Sequence, residues 1–219
     1  MTLTAQSVVD HQLHIGSLQK ESSPKTREFW SEVVNGVVVL DPDQIVEHLE
    51  HARIKVREAV LANKNILVVL DKASYAEDLN TLATKHNFHY LHDKVPGGFL
   101  TNFETLMTKI KDLNRKIAFE QSNEFNSLTK KEQTKHSRDV RKINNIYGGV
   151  KNLKKKPDLV IAVDGAGLTN FLHEVKKQKI DNVVLSSTDF SERWNDNSWV
   201  VANMNSYKSL DYIMHYLFS

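Results

Sequence analysis

The sequence predicts an α/β fold built on a parallel sheet, and three observations predict it. Short, almost wholly apolar, largely β-branched runs recur along the chain: residues 37–40 (VVVL), 65–70 (NILVVL), 159–163 (LVIAV) and 182–185 (NVVL). Amphipathic helical stretches alternate with them. The runs lack the polar alternation of a half-exposed strand, which argues for strands buried on both faces with helices on either side.

The elements follow in order. Residues 37–40 form the first recognisable strand. Asp41-Pro42-Asp43 supplies a helix N-terminus, with Pro in the first turn. Ile45, Leu49, Ala52, Val56 and Val60 then recur at helical spacing. Residues 65–70 read as a strand, 73–85 as a helix and 88–91 as a short strand. The rhythm breaks between residues 92 and 156. It resumes with a strand at 159–163, a helix at 168–178, strands at 182–185 and 199–201, and a closing helix at 206–217. There is no internal repeat, and four Pro and eight Gly leave no flexible linker, so the interrupting segment is expected to be structured.

That segment reads as a helical hairpin. Thr101-Asn102-Phe103-Glu104 fits a capping box. Phe103, Leu106, Ile110, Leu113 and Ile117 follow the 3-4 spacing of a coiled-coil seam. A second capping box stands at Thr129 to Glu132, and His136, Val140, Ile143 and Tyr147 repeat the spacing. Gly148-Gly149 is a natural stop, and a polar turn is expected at 122–127. The division is then an α/β domain at 1–102 and 157–219 with an inserted α-helical coiled-coil hairpin at 103–156. At 1.5 Å per residue, an arm of about 17 residues reaches roughly 25 Å.

Composition narrows the function. The 219 residues suffice for one domain with an appendage. No apolar run reaches the roughly 18–20 residues of a membrane-spanning helix, and residues 1–10 do not read as a signal or transit segment. Zero cysteines exclude disulfides, thiolate zinc sites and cysteine nucleophiles. The net charge is only +2, but it is divided: residues 103–156 hold 14 Lys/Arg against 6 Asp/Glu, a net of +8, and the rest hold 15 against 21, a net of −6. Such asymmetry suggests a segment that faces nucleic acid. The hairpin's exposed positions carry Lys109, Lys111, Arg115, Lys116, Lys130, Lys131, Lys135, Arg138, Arg141 and Lys142. Cations on such an arm suit a phosphate backbone, because each neutralised phosphate releases condensed counterions. Lys151, Lys154, Lys94, Lys25 and Arg27 complete the candidate RNA-binding set.

Other motifs are weaker. Asp164-Gly165-Ala166-Gly167-Leu168-Thr169-Asn170 follows a strand and opens a helix, as a dinucleotide loop does, but Asn170 stands where the third glycine belongs. The ten histidines show no convincing ligand spacing. His89 and His92 fall on opposite faces of a strand, and His14 is the one closest to a recognisable motif. Ser186-Ser187-Thr188-Asp189 follows a strand without a nucleophile elbow or a partner base. Trp30, Trp194 and Trp199 read as packing residues, with Trp194 in a polar loop that could instead face a neighbour. No catalytic residue, metal or cofactor is assigned.

Val95-Pro96-Gly97-Gly98-Phe99-Leu100-Thr101-Asn102 resembles the G-G-x-L-T-N signature of the small-subunit ribosomal protein S-two family. Leu128 to Glu132 resembles that family's L-T-K-K-E. Gly148 to Lys151, followed by Pro157 to Ile161, is similar to its G-G-I-K and L-P-D-x-x-x-V-I-D segments. His14-Ile15-Gly16 resembles its H-F-G-H. The resemblance implies a Rossmann/flavodoxin-like domain with an inserted hairpin and a structural role in the small ribosomal subunit. It also implies partners: small-subunit rRNA, the neighbouring proteins five and eight, and in bacteria the large mRNA-binding protein one. Neither a membrane nor a small-molecule substrate is implied. The sequence departs from the family at Ser17, at Asp93 to Pro96, at Leu70-Asp71-Lys72, at Ala202 to Asn205, and in ending at Ser219. A short, divergent member of this kind looks mitochondrial, with the bacterial cytoplasm as the alternative. A nucleotide-dependent enzyme on a Rossmann-like fold is the competing reading, and a protein-only scaffold is a third.

Overall fold

The structure is a computed structural model and describes residues 3–92, 95–194 and 198–219. It opens with α1 (Ala5–Asp10), closed by a reciprocal cap between Thr4 and Ser7. Three strands follow, β1 (Ile15–Leu18), β2 (Trp30–Val34) and β3 (Val37–Leu40), in an antiparallel sheet of order β1-β3-β2. Asn35 and Gly36, at φ 50° and 78°, make the tight link between β2 and β3 that an Asn-Gly pair favours. This sheet corrects the expectation for residues 37–40. Val38 and Leu40 are buried while Val37 and Val39 are half-buried. The run is thus the centre of a separate antiparallel sheet, and its uniform apolar composition hides a one-sided strand.

The helix after it, α2 (Pro42–Leu61), starts as expected. The Asp41 carboxylate accepts from the Asp43 N–H at 3.0 Å, with Pro42 in the first turn. Its buried stripe is Ile45, Leu49, Ala52, Val56 and Ala59. Val60 lies outside it, 41% exposed.

The main sheet has five parallel strands: β4 (Ile66–Leu70), β5 (His89–His92), β6 (Leu159–Val163), β7 (Asp181–Ser186) and β8 (Trp199–Val201). Their order is β5-β4-β6-β7-β8, with Val68 opposite Tyr90 on one side and Ile161 on the other. Every residue of β4 and β6 is buried. The helices α3 (Ala76–His86), α7 (Thr169–Gln178) and α8 (Tyr207–Leu217) complete the α/β alternation, and α2 packs against α8 and β8. The expected parallel α/β fold flanked by helices is therefore present, and each predicted strand from residue 65 onward falls where the sequence placed it.

Polar side chains weld the two sheets together. Thr188, just past β7, accepts from the Ser17 N–H at 2.8 Å and from the Ser22 hydroxyl at 2.9 Å. Its carbonyl accepts from the Thr26 hydroxyl at 3.0 Å. Gly16 is needed at this weld, since a Cβ there would lie 2.8 Å from the Thr188 methyl.

The connection from β5 to β6 crosses over β4 and carries the interrupting segment. It holds α4 (Phe103–Glu120), the short α5 (Asn123–Ser127), α6 (Lys130–Tyr147) and a 3-10 turn at Gly148–Val150. The helix α6 runs back along α4. Near the far end, Glu120 accepts from the Ser137 hydroxyl at 2.7 Å, and at the near end Leu106 and Tyr147 border one hollow.

Candidate nucleic-acid interface

The entry to α4 is set from a distance. Glu174, on α7, accepts from the N–H groups of Gly98 at 2.7 Å, Leu100 at 2.9 Å and Thr101 at 3.1 Å, and from the Thr101 hydroxyl at 3.2 Å. Gly98 sits at φ 80°, where a side chain is strained, and the turn there brings three N–H groups of residues 98–101 toward one carboxylate. The expected capping box at Thr101 is not formed. Asn102 is the N-cap of α4 and makes no side-chain cap bond. The Thr101 hydroxyl donates to the Glu174 carboxylate, a stronger acceptor than a neutral partner would be.

Leu106, Ile110 and Leu113 of α4 are buried with Val140 and Tyr147 of α6, while Phe103, Ile117 and Ile143 are half-buried against them. These are positions the spacing named. The second capping box forms as expected: the Thr129 hydroxyl accepts from the Glu132 N–H, and the Glu132 carboxylate accepts from the Thr129 N–H at 3.0 Å. The Thr129 hydroxyl also donates to the Glu132 carboxylate at 2.7 Å, and this bond first and the Thr129 N–H second hold the carboxyl below its usual range. The turn at 122–127 is not merely polar. It is the helix α5, where Phe125 stands edge-on to Phe119 at 5.9 Å and His136 packs against both rings. At the other end, Gly149 meets β5: a Cβ there would lie 2.3 Å from the Tyr90 carbonyl oxygen.

The candidate cations have these places. Lys109, Lys111 and Arg115 are exposed on α4, and Lys130, Lys131, Lys135, Arg138, Arg141 and Lys142 on α6. Lys116 is half-buried rather than exposed. Arg115 and Lys116 both pair with Asp112, at 2.6 and 3.0 Å, and their hydrogen bonds keep its carboxyl below the usual range. Lys151 and Lys154 follow the helix pair and are exposed. Among the described residues, the remaining ten cations of this segment's candidate set have no carboxylate within 4.0 Å, whereas Lys155 pairs with Asp158. Lys25 and Arg27 are exposed on a different element, the 3-10 turn Pro24–Phe29. Lys94 lies outside the described residues. Sequence reasoning missed an apolar groove beside the cations. Ile143, Ile146 and Tyr147 floor it, Lys109, Lys111 and Arg115 rim it, and it encloses about 790 Å³.

The competing motifs resolve into structural roles. The sheet reverses its strand order between β4 and β6, the crevice where open α/β sheets hold ligands. Here Lys72, after β4, pairs with Asp164, after β6, at 3.2 Å and also donates to the Met204 carbonyl. The Asp71 carboxylate lies against Gly167, 2.7 Å from where a Cβ would stand. A carboxylate so close to the loop opposes a phosphate. Ser186, Ser187 and Thr188 are buried and bonded; Ser186 accepts from the Trp199 indole at 2.7 Å. Trp194 is 6% exposed, donates to Asn182 at 2.6 Å and carries Lys176 over its ring, so its polar loop does not present it to a neighbour. Trp199 is buried and Trp30 half-buried.

An α/β scaffold carrying a basic, thinly packed helix pair is the class of protein this geometry defines. Residues 8–219 match the family model of ribosomal protein S2. Small ribosomal subunit protein uS2 of Coprothermobacter proteolyticus is 30% identical over 187 residues, covering 85% of this chain and 70% of that protein. Small ribosomal subunit protein uS2c of Cyanidium caldarium is 26% identical over 214 residues, covering 98% and 88%. Small ribosomal subunit protein uS2 of Synechocystis sp. is 29% identical over 177 residues, covering 81% and 66%. The chain belongs to the ribosomal protein S2 family.

Proposed function

We propose that the chain is a structural constituent of the small ribosomal subunit and that its helix pair is an arm, residues 103–156, held by small-subunit rRNA. Residues 1–102 and 157–219 form the body. One observation carries this reading: ten of the twelve candidate cations of the arm segment are exposed and lack a carboxylate partner among the described residues. Lys and Arg side chains left free in this way bind phosphates and fix position without reading sequence. Lys109, Lys111, Arg115, Lys130, Lys131, Lys135, Arg138, Arg141 and Lys142 form the contact surface, extended by Lys151 and Lys154. Lys116, half-buried on Asp112, contributes less. Lys25 and Arg27 form a second, smaller contact on the body. The body's net negative charge suits basic neighbouring ribosomal proteins.

Within the cell, our reading is the mitochondrial ribosome, supported by the departures from the family signatures at Ser17 and at Leu70-Asp71-Lys72. The bacterial cytoplasm is the alternative.

Sucrose-gradient sedimentation of native lysate, in low and high salt, tests the assignment. Co-migration with the small subunit, with release at high salt, is the expected result, and organelle fractionation before the gradient assigns the ribosome. Migration as a free 25.1 kDa chain at every salt concentration would overturn it.

A further inference from the structure

At the β5 edge of the parallel sheet, a cleft of about 550 Å³ opens between α3, β5 and the foot of α6. Five of its lining residues carry amides: Asn80 and Asn87 from α3 and its C-cap, Asn144 and Asn145 from the last turn of α6, and Asn152 just beyond. Neither aspartate nor glutamate lines it, and Lys151 brings its one permanent charge. An amide side chain presents a donor beside an acceptor, which is what the edge of a nucleobase also presents. Among the described residues, the amides of Asn87, Asn144, Asn145 and Asn152 make no hydrogen bond and stand exposed.

The strand β5 supplies a flat wall. The rings of Tyr90 and His92 lie 6.0 Å apart and 24° from parallel, and the Tyr90 hydroxyl is fixed by donating to Asn80 at 3.0 Å. The Nδ1 of His92 is buried without a hydrogen-bond partner among the described residues. Gly149 already lies against the Tyr90 carbonyl, which hinders an incoming strand from pairing along this edge.

We propose that this cleft takes an unpaired nucleobase of RNA, with the base edge on the asparagine amides and the ring beside Tyr90 and His92. Unpaired bases present both an edge and a face, and proteins that read RNA sequence use them for that reason. The volume lies within the range of small-ligand sites. The lack of carboxylates admits the adjoining phosphate, which Lys151 attracts. The proposal rests on the RNA-binding reading of the arm, because Asn144, Asn145 and Lys151 stand at the arm's foot.

The test uses the full chain and two RNA hairpins that differ by one bulged nucleotide, titrated by fluorescence anisotropy. The double variant Asn145→Ala/Asn152→Ala removes two exposed amides and no charge. The wild type is expected to prefer the bulged hairpin by about tenfold, the scale of one good base contact. The variant is expected to lose that preference while binding the paired hairpin with unchanged affinity and salt slope. Equal binding of both hairpins by the wild type overturns the cleft and leaves the arm reading intact. Absence of binding to either overturns both. If a free mononucleotide binds in a variant-sensitive way and the bulge adds nothing, the cleft serves a free nucleotide and the RNA proposal falls. Ultraviolet crosslinking of the intact small subunit gives an independent arm: a nucleotide on the peptide bearing Tyr90 supports the proposal, and a ribosomal protein crosslinked there overturns it.

Discussion

The strands β4 and β6 bury all ten of their residues, five each. The helices α4 and α6, 18 residues each, bury five side chains between them: Leu106, Ile110, Leu113, Val140 and Tyr147. These two strands are stabilised along their whole length by apolar burial on both faces. The helix pair has this narrow seam and is fastened at its two ends. At the far end stand the Thr129–Glu132 cap and the Phe119–Phe125–His136 cluster, and at the near end the Glu174 clamp and the Gly149–Tyr90 joint. Burial on both faces builds the central strands, whereas a narrow seam and terminal fastenings build the helix pair.

The largest expected effect breaks or sharpens this comparison directly. Leu67→Ala in β4 and Leu113→Ala in α4 delete the same atoms from sites of 0% exposure. Each is expected to cost about 2–5 kcal/mol. They should differ in where the loss is felt. Hydrogen exchange in Leu113→Ala should quicken in α4 and α6 while β4 and β6 keep their protection; Leu67→Ala should quicken exchange everywhere. Uniform loss in both variants would mean that the two regions unfold as one.

The joint comes next. Gly149→Ala sets a methyl against the Tyr90 backbone, which cannot yield without moving β5, and is expected to cost about 1–3 kcal/mol. Gly148→Ala meets only the movable amide of Asn144, at 3.0 Å, and should cost less. The ratio of the two melting-temperature shifts checks the joint.

The smallest effect is a pH dependence. Glu132 has a carboxyl held below its ordinary 4.5 by the folded cap. The contribution is complete above that ordinary value and is lost as pH falls through the lowered one. Helicity at 222 nm should decline on acidification below 4.5, and Glu132→Gln should flatten that part of the curve. Superimposable curves would remove the cap from the account.

The parallel sheet was legible because fully buried strands are written as unbroken apolar runs. The β1–β3 sheet was not: Ile15-Gly16-Ser17-Leu18 holds two apolar residues, and most of β2 is exposed. The seam of the helix pair was legible from its spacing, and so was the Thr129 cap, since both are local. The aromatic cluster escaped because Phe119, Phe125 and His136 meet across a turn of polar sequence. Gly149 was read as a stop, but its φ/ψ requirement is slight and its real constraint is the approach of β5. The amide cleft drew on α3, β5 and α6, elements that only the folded chain brings together.

Glu174 adds a consequence for anyone who wishes to move this arm. The string from Gly98 to Thr101 and a carboxylate 73 to 76 positions later behave as a single part in two pieces. A chimera that transplants residues 103–156 alone would leave its hinge pin behind. One that carries Gly98 to Thr101 without an acid on the recipient's following helix would have a socket with nothing in it. The recognisable letters of the signature thus describe a mounting bracket, and the unremarked Glu on the next helix is its bolt.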